Sequence, residues 1–223
     1  MTTKTITKIC LLAALGLASV VFNACKGDES KPEENNPKLG VTNTPTTDVG
    51  VVINGVKWAT RNVDAFGTFA ATPESAGMFY QWNRPKAWTA TNTVTDWDNT
   101  YPTGTTWEKA NDPSPKGWRV PTKVEMDKLF DAERVSNGWT TQKGVNGRKF
   151  TDKSTRASIF LPAAGWHGTS GAFYDTGTNG DYWSSTKDGD DEWCAYHLYF
   201  DSGRAGVSGL FHRAGFSVRS VAE

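Results

Sequence analysis

Ten tryptophans are spread through this 223-residue chain. Five of them, Trp88, Trp97, Trp107, Trp139 and Trp166, fall in stretches without regular strand or helix patterning, among Asn, Asp, Thr and Gly. An exposed indole beside such residues can stack on the apolar face of a sugar while polar neighbours take its hydroxyls. Trp88, Trp97, Trp107 and Trp166 are therefore the candidate ligand-binding residues. The competing reading is that each indole plugs its loop onto the domain, and taken singly each is read as a plug first.

Other chemistry has less support. Asp96-Trp97-Asp98-Asn99 and Asp188-Gly189-Asp190-Asp191-Glu192 are oxygen-rich, as calcium requires, but acidic turns of this kind usually form solvated surface. His167, His197 and His212 have no metal-ligand spacing. There is no Gly-x-Ser-x-Gly nucleophile elbow, and the Gly-rich segments 177–180 and 203–209 read as tight turns rather than phosphate loops. Cys194 stands alone in the body of the chain and reads as a small buried hydrophobe. The expectation is a domain with no catalytic residues, no metal and no cofactor.

The elements that would position the indoles start from residues 116–125. Pro121 keeps Val120 extended, and Thr122 with Glu125 forms a T-x-x-E capping box that opens a helix. Met126, Leu129 and Phe130 follow at helical spacing, and the helix is expected to end between Glu133 and Asn137, with Gly138 as its C′ residue. Trp118 reads as an anchor before the turn, and Arg119 as a candidate for an ion pair or carbonyl clamp behind it. Asn54-Gly55 between Val51-Val52-Ile53 and Val56-Lys57-Trp58 is a type I′ hairpin signal, and Asn146-Gly147 is a second turn signal. The stretch from Trp193 to Asp201 alternates as a strand, and Phe216 to Val221 reads as one final strand. Residues 83–115 are long and irregular, and their regular Trp content favours order.

Acidic and basic residues number 24 each, which argues against a nucleic-acid surface. Lys4 and Lys8 precede an apolar run from Ile9 to Phe22, too short to span a bilayer, which takes about 20 residues. This describes a secretory signal over 1–24. Its end, Phe22-Asn23-Ala24-Cys25, resembles a bacterial lipobox and implies lipidation of Cys25. The acidic cluster behind it resembles a surface-export signal of Bacteroidetes lipoproteins. Residues 25–48 are Pro-, Asn-, Thr-, Glu- and Lys-rich and are expected to form a disordered linker. The domain is expected over 49–223, about 170 residues, enough for one well-buried core.

Four landmarks stand in order: 53–62 (Ile-Asn-Gly-Val-Lys-Trp-Ala-Thr-Arg-Asn), 115–122 (Pro-Lys-Gly-Trp-Arg-Val-Pro-Thr), 182–186 (Tyr-Trp-Ser-Ser-Thr) and 215–219 (Gly-Phe-Ser-Val-Arg). Together they resemble the Fibrobacter succinogenes major paralogous domain family. The second and fourth are also similar to the formylglycine-generating, sulfatase-modifying family. The resemblance implies an α+β, C-type-lectin-like fold: short twisted antiparallel sheets, one or two helices, long ordered loops and neighbouring terminal strands. Trp118, Arg119, Pro121, Thr122, Glu125, Trp183 and Arg219 would be its structural motif residues. The pair of Cys that formylglycine formation uses is missing here. Family members usually carry Cys at the positions of Ser114 and Ser220, which implies that these two serines are neighbours. The functional expectation is an outer-membrane, cell-surface lipoprotein whose domain binds a glycan or a surface protein. The alternative is a structural or adhesive part of a surface assembly such as a fimbrial tip, and a degenerate enzyme is disfavoured.

Overall fold

The computed structural model describes residues 47–223. The expected signal segment, Cys25 and almost all of the expected linker lie outside these residues. Among the described residues no helix is long and apolar enough to cross a membrane.

The chain forms short antiparallel strands around one short helix. Strands β1 (Val51–Ile53) and β2 (Val56–Trp58) make the expected hairpin, with Asn54 at φ 46° and Gly55 at φ 77°, both left-handed as a type I′ turn requires. Next come β3 (Phe79–Gln81), β4 (Ala87–Trp88) and β5 (Trp118–Arg119), then helix α1 (Lys123–Asp127). The capping box at Thr122 and Glu125 is fully formed. Glu125 also takes two hydrogen bonds from the Arg119 guanidinium, at 2.9 and 2.6 Å, so the residue that caps the helix also fixes the strand before it. Burial alone would push the Glu125 carboxyl up, but its bonds from Arg119 and Thr122 outweigh this and hold it below the usual range.

The helix does not run to Glu133. It ends after five residues and tightens into a 3-10 turn over Lys128–Phe130. Gly138 is no cap: it lies inside strand β6 (Val135–Gln142). That strand pairs with β7 (Val145–Asp152) through a turn at Lys143-Gly144, where φ is 47° and 83°. The expected turn at Asn146-Gly147 is instead inside β7. A Cβ on Gly147 would sit 2.3 Å from the Leu161 carbonyl oxygen, so this glycine serves close strand packing. β7 then pairs with β8 (Ser158–Pro162).

β9 (Trp166–His167) and β10 (Phe173–Tyr174) form a small hairpin. The strands β11 (Gly180–Lys187), β12 (Cys194–Phe200) and β13 (Ala205–Phe211) make a separate antiparallel sheet. β12 is its centre, and both of its faces are covered: Cys194, Leu198 and Phe200 are buried on one face, and Ala195 and His197 on the other. The expected single strand from Phe216 to Val221 is divided. β14 (Gly215–Phe216) joins β9 and β3, Ser217 bridges Tyr182, and β15 (Val221–Ala222) joins β2 and β5. Every residue from Gly215 to Val221 is buried, so this stretch shows no inward-outward alternation.

Two large clusters fill the interior. One gathers Ile53, Trp58, Leu129, Phe150, Leu161 and Phe200, the other Phe69, Tyr80, Trp82, Trp183, Phe216 and Val218. Trp183 donates its indole hydrogen to the Tyr80 carbonyl at 2.7 Å and Trp82 to that of Ser184 at 3.0 Å. Arg219 is fully buried, with its guanidinium bonded to Asn62 Oδ1 and the Ala59 carbonyl. Burial pushes that guanidinium down to about 10.

Candidate functional site

The structure sorts the four candidate indoles into three buried and one half-buried. Trp88, Trp97 and Trp107 are only 4, 6 and 8 % exposed. Trp97 donates to the Arg213 carbonyl at 2.8 Å and packs against Trp88 with ring centroids 4.7 Å apart and planes tilted by 36°, while Trp107 donates to the Asn111 carbonyl. Lys86 sits 3.8 Å over the Trp88 ring. These three pin the irregular segment 83–115 to the domain, and Trp107 also borders a cleft that it shares with Trp118. Trp88, Trp97 and Trp107 thus sit as plugs beneath their loops.

Trp166 is different. It is half-buried on β9, its inner edge against Phe216 and its ring beside Tyr174, which is 45 % exposed, at a centroid distance of 5.2 Å. The indole Nε1 donates to Asp175 Oδ2 at 2.9 Å, which fixes the ring plane. Two glycines build this hairpin. A Cβ on Gly165, at φ 77°, would lie 2.3 Å from the Tyr174 carbonyl oxygen. One on Gly171, at φ 80°, would lie 2.7 Å from the Val94 carbonyl oxygen. Only glycine admits both approaches, and the second joins the hairpin to the loop that Trp97 pins.

Trp166 lines a cleft of about 400 Å³ with Asp175, Asn179, Asp181, His197, Tyr199, Asp201 and Arg204. Asp181 and His197 are buried at its base. His197 Nδ1 lies 2.8 Å from the Ser208 carbonyl oxygen, which can only accept, so Nδ1 carries a hydrogen. Nε2 lies 3.4 Å from Asp181 Oδ1. Burial pushes the Asp181 carboxyl up against the opposing pull of His197. Asp201 Oδ2 accepts from Arg204 Nε at 2.9 Å at the rim.

Two larger clefts are less suited to a ligand. One, of about 520 Å³ between Asn54, Glu133, Arg134, Asp152 and Lys153, has no aromatic wall. The other, of about 530 Å³, lies at the junction of Trp118, Ser114 and Glu223. Its polar groups already serve the fold: Arg119 binds Glu125, Lys109 binds Glu223, and Asp112 accepts from the Val120 and Ser114 amides.

Among the described residues no three His, Cys, Asp or Glu side chains gather as a metal would require. Cys194 is buried, and burial with Asp191 beside it pushes the thiol up to about 12, so it stays protonated and unreactive. Sequence reasoning found Trp166 but missed Tyr174, Asp175, Asp181, His197, Tyr199 and Asp201 around it. The available signal was the Gly-Trp-His-Gly run at 165–168, which opens a Gly-rich loop with an aromatic at its start. No family model matches the chain, and no curated protein or solved structure matches it.

Proposed function

We propose that this domain is a non-catalytic recognition module of C-type-lectin-like fold that binds glycan in the Trp166 cleft. The observation that carries the reading is the oriented, half-exposed Trp166 beside the exposed Tyr174 at the mouth of a carboxylate- and amide-lined cleft. Flat aromatics with fixed planes stack on sugar faces, and the acceptors around them take hydroxyls. Both ring nitrogens of His197 are engaged and Cys194 is inert, which supports recognition rather than catalysis. The leader and Cys25 support display of the domain at the outer membrane on a lipid anchor, probed by Cys25→Ser and detergent-phase partitioning. A glycan array on the full chain tests the binding. Signals that vanish in Trp166→Ala while the melting temperature holds are expected, and an array without signal overturns the reading.

A second reading has its own observation. Trp193, just before β12, is 45 % exposed, with Tyr101 against it at 4.4 Å and Arg213 over the Tyr101 ring, and Phe211, also 45 % exposed, ends the outer strand β13. Such a patch on a sheet edge suits a protein partner in a surface assembly. Adhesion lost in Trp193→Ala but kept in Trp166→Ala would favour it.

A further inference from the structure

We propose that Asp175 makes the Trp166 cleft selective by charge, so that it accepts sugars presenting hydroxyl or amine donors at the edge of the indole and turns away sugars carrying carboxylates. The inference rests on the glycan reading of this cleft and names its ligand class.

Three carboxylates line the cleft: Asp175, Asp181 and Asp201. Its cationic or potentially cationic lining groups are Arg204 and His197. Arg204 Nε is bound to Asp201 Oδ2 at 2.9 Å at the rim, and His197 Nε2 faces Asp181 at 3.4 Å in the base. Each of these groups is thus matched by a carboxylate of its own. Among the described residues Asp175 has no such partner. Its side-chain hydrogen bond among the described residues is the one it accepts from the Trp166 indole, on Oδ2. Oδ1 is left to meet a ligand at the edge of the ring on which a sugar would lie.

The position of Asp175 is fixed by its backbone. It sits at φ 60°, and its carbonyl accepts from the Thr178 amide and hydroxyl and from the Asn179 amide. A sugar stacked on Trp166 therefore meets a stationary negative charge at its rim. Hydroxyls and ammonium groups donate to it. A ligand carboxylate would face a like charge with no uncommitted cation inside the cleft, and such a contact is strongly unfavourable.

The test uses the full chain and four matched probes: β-1,4-linked tetramers of glucose, N-acetylglucosamine, glucosamine and glucuronate, titrated at low salt. The expected result is Trp166-dependent binding of the uncharged and amine-bearing tetramers. They should bind about tenfold or more tighter than the glucuronate tetramer, and the gap should shrink as salt is added. Asp175→Asn keeps an oxygen acceptor for the indole and should bring glucuronate binding close to that of glucose. Trp166-dependent binding of glucuronate at equal or higher affinity overturns the inference while leaving the glycan reading standing. So does a preference that Asp175→Asn leaves unchanged. Glucuronate binding that is lost in Arg204→Gln would assign the charge reading to Arg204 instead, and also overturns it. Binding of none of the four tetramers overturns the glycan reading and this inference together.

Discussion

Ser220 Oγ donates a hydrogen bond of 2.7 Å to Ser114 Oγ, across 106 residues of sequence. Ser220 is fully buried between β14 and β15, and Ser114 stands just before the turn that leads into β5. The pair joins the helix-opening motif to the end of the chain without a covalent bond. Its neighbours do the same: the Ser220 carbonyl accepts from the Ala59 amide, and Glu223 donates its amide to the Gly117 carbonyl.

Two hydroxyl oxygens 2.7 Å apart bring these side chains near the spacing that a disulfide, with its sulfurs about 2.05 Å apart, requires. Ser114→Cys with Ser220→Cys is expected to form a disulfide on oxidation. Closing a loop of this length stabilises by up to about 4–5 kcal/mol in the chain-entropy model, less if the bridge is strained. Cys194, buried and protonated, is a poor competitor for the exchange. Thiol titration and the melting temperature, oxidised against reduced, check this. Failure to oxidise in the folded protein would count against the pairing.

The indoles should sort into two groups by what they lose. Trp97→Ala empties a buried site and is expected to cost about 3–5 kcal/mol of stability in urea denaturation. Trp166→Ala removes a half-exposed ring, so its stability cost should be well below that of Trp97→Ala. Its effect should appear in glycan affinity, on the order of 1 kcal/mol for one lost stack. Equal destabilisation by the two substitutions would show that Trp166 is also a plug.

What the residues announced beforehand was local. The capping box needs only Thr122 and Glu125 three residues apart, and Asn54-Gly55 suffices for its own turn, so both could be read from the chain. Lys143-Gly144 escaped because Lys is an unusual choice for a left-handed first turn position. Asn146-Gly147 misled because Gly147 answers to Leu161 and Phe160, which are distant in sequence. Burial of Trp88, Trp97 and Trp107 was likewise a property of tertiary packing. The cleft was the least legible part. Trp166 and Asp175 are close in sequence, but Asp181, His197 and Asp201 reach it through a different sheet.

Acid should weaken the protein through Asp152. Its carboxylate accepts from the Ser154 hydroxyl and the Thr155, Asn54 and Ser154 amides, which hold it far below the usual range despite some burial. A carboxyl depressed in the folded state contributes stability above its unfolded value, about 3.9. That contribution is lost as pH falls toward the folded value. Asp152→Asn should therefore lower the melting temperature at neutral pH, and the gap from wild type should narrow as pH drops below about 4. A gap of constant size across that range would refute the assignment.

The end of the chain should be indispensable to the fold. Val221 pairs with Trp58 on one side and Arg119 on the other, making β15 the strand that links the β1–β2 hairpin to β5. The Val218 carbonyl accepts from the Val63 amide, and Arg219 holds the Ala59 carbonyl and Asn62. Phe216, Val218 and Val221 belong to the two main core clusters. Deleting residues 216–223 removes all of these at once and leaves Trp58 and Trp183 facing water. The truncated chain is expected to lose its cooperative thermal transition rather than melt a few degrees lower. Deleting only 222–223 spares Val221 and its two pairings, and should leave a cooperative transition at a modestly reduced temperature. A protein lacking 216–223 that melted at the wild-type temperature would mean the core closes without its terminal strand, against the pairings of Val221.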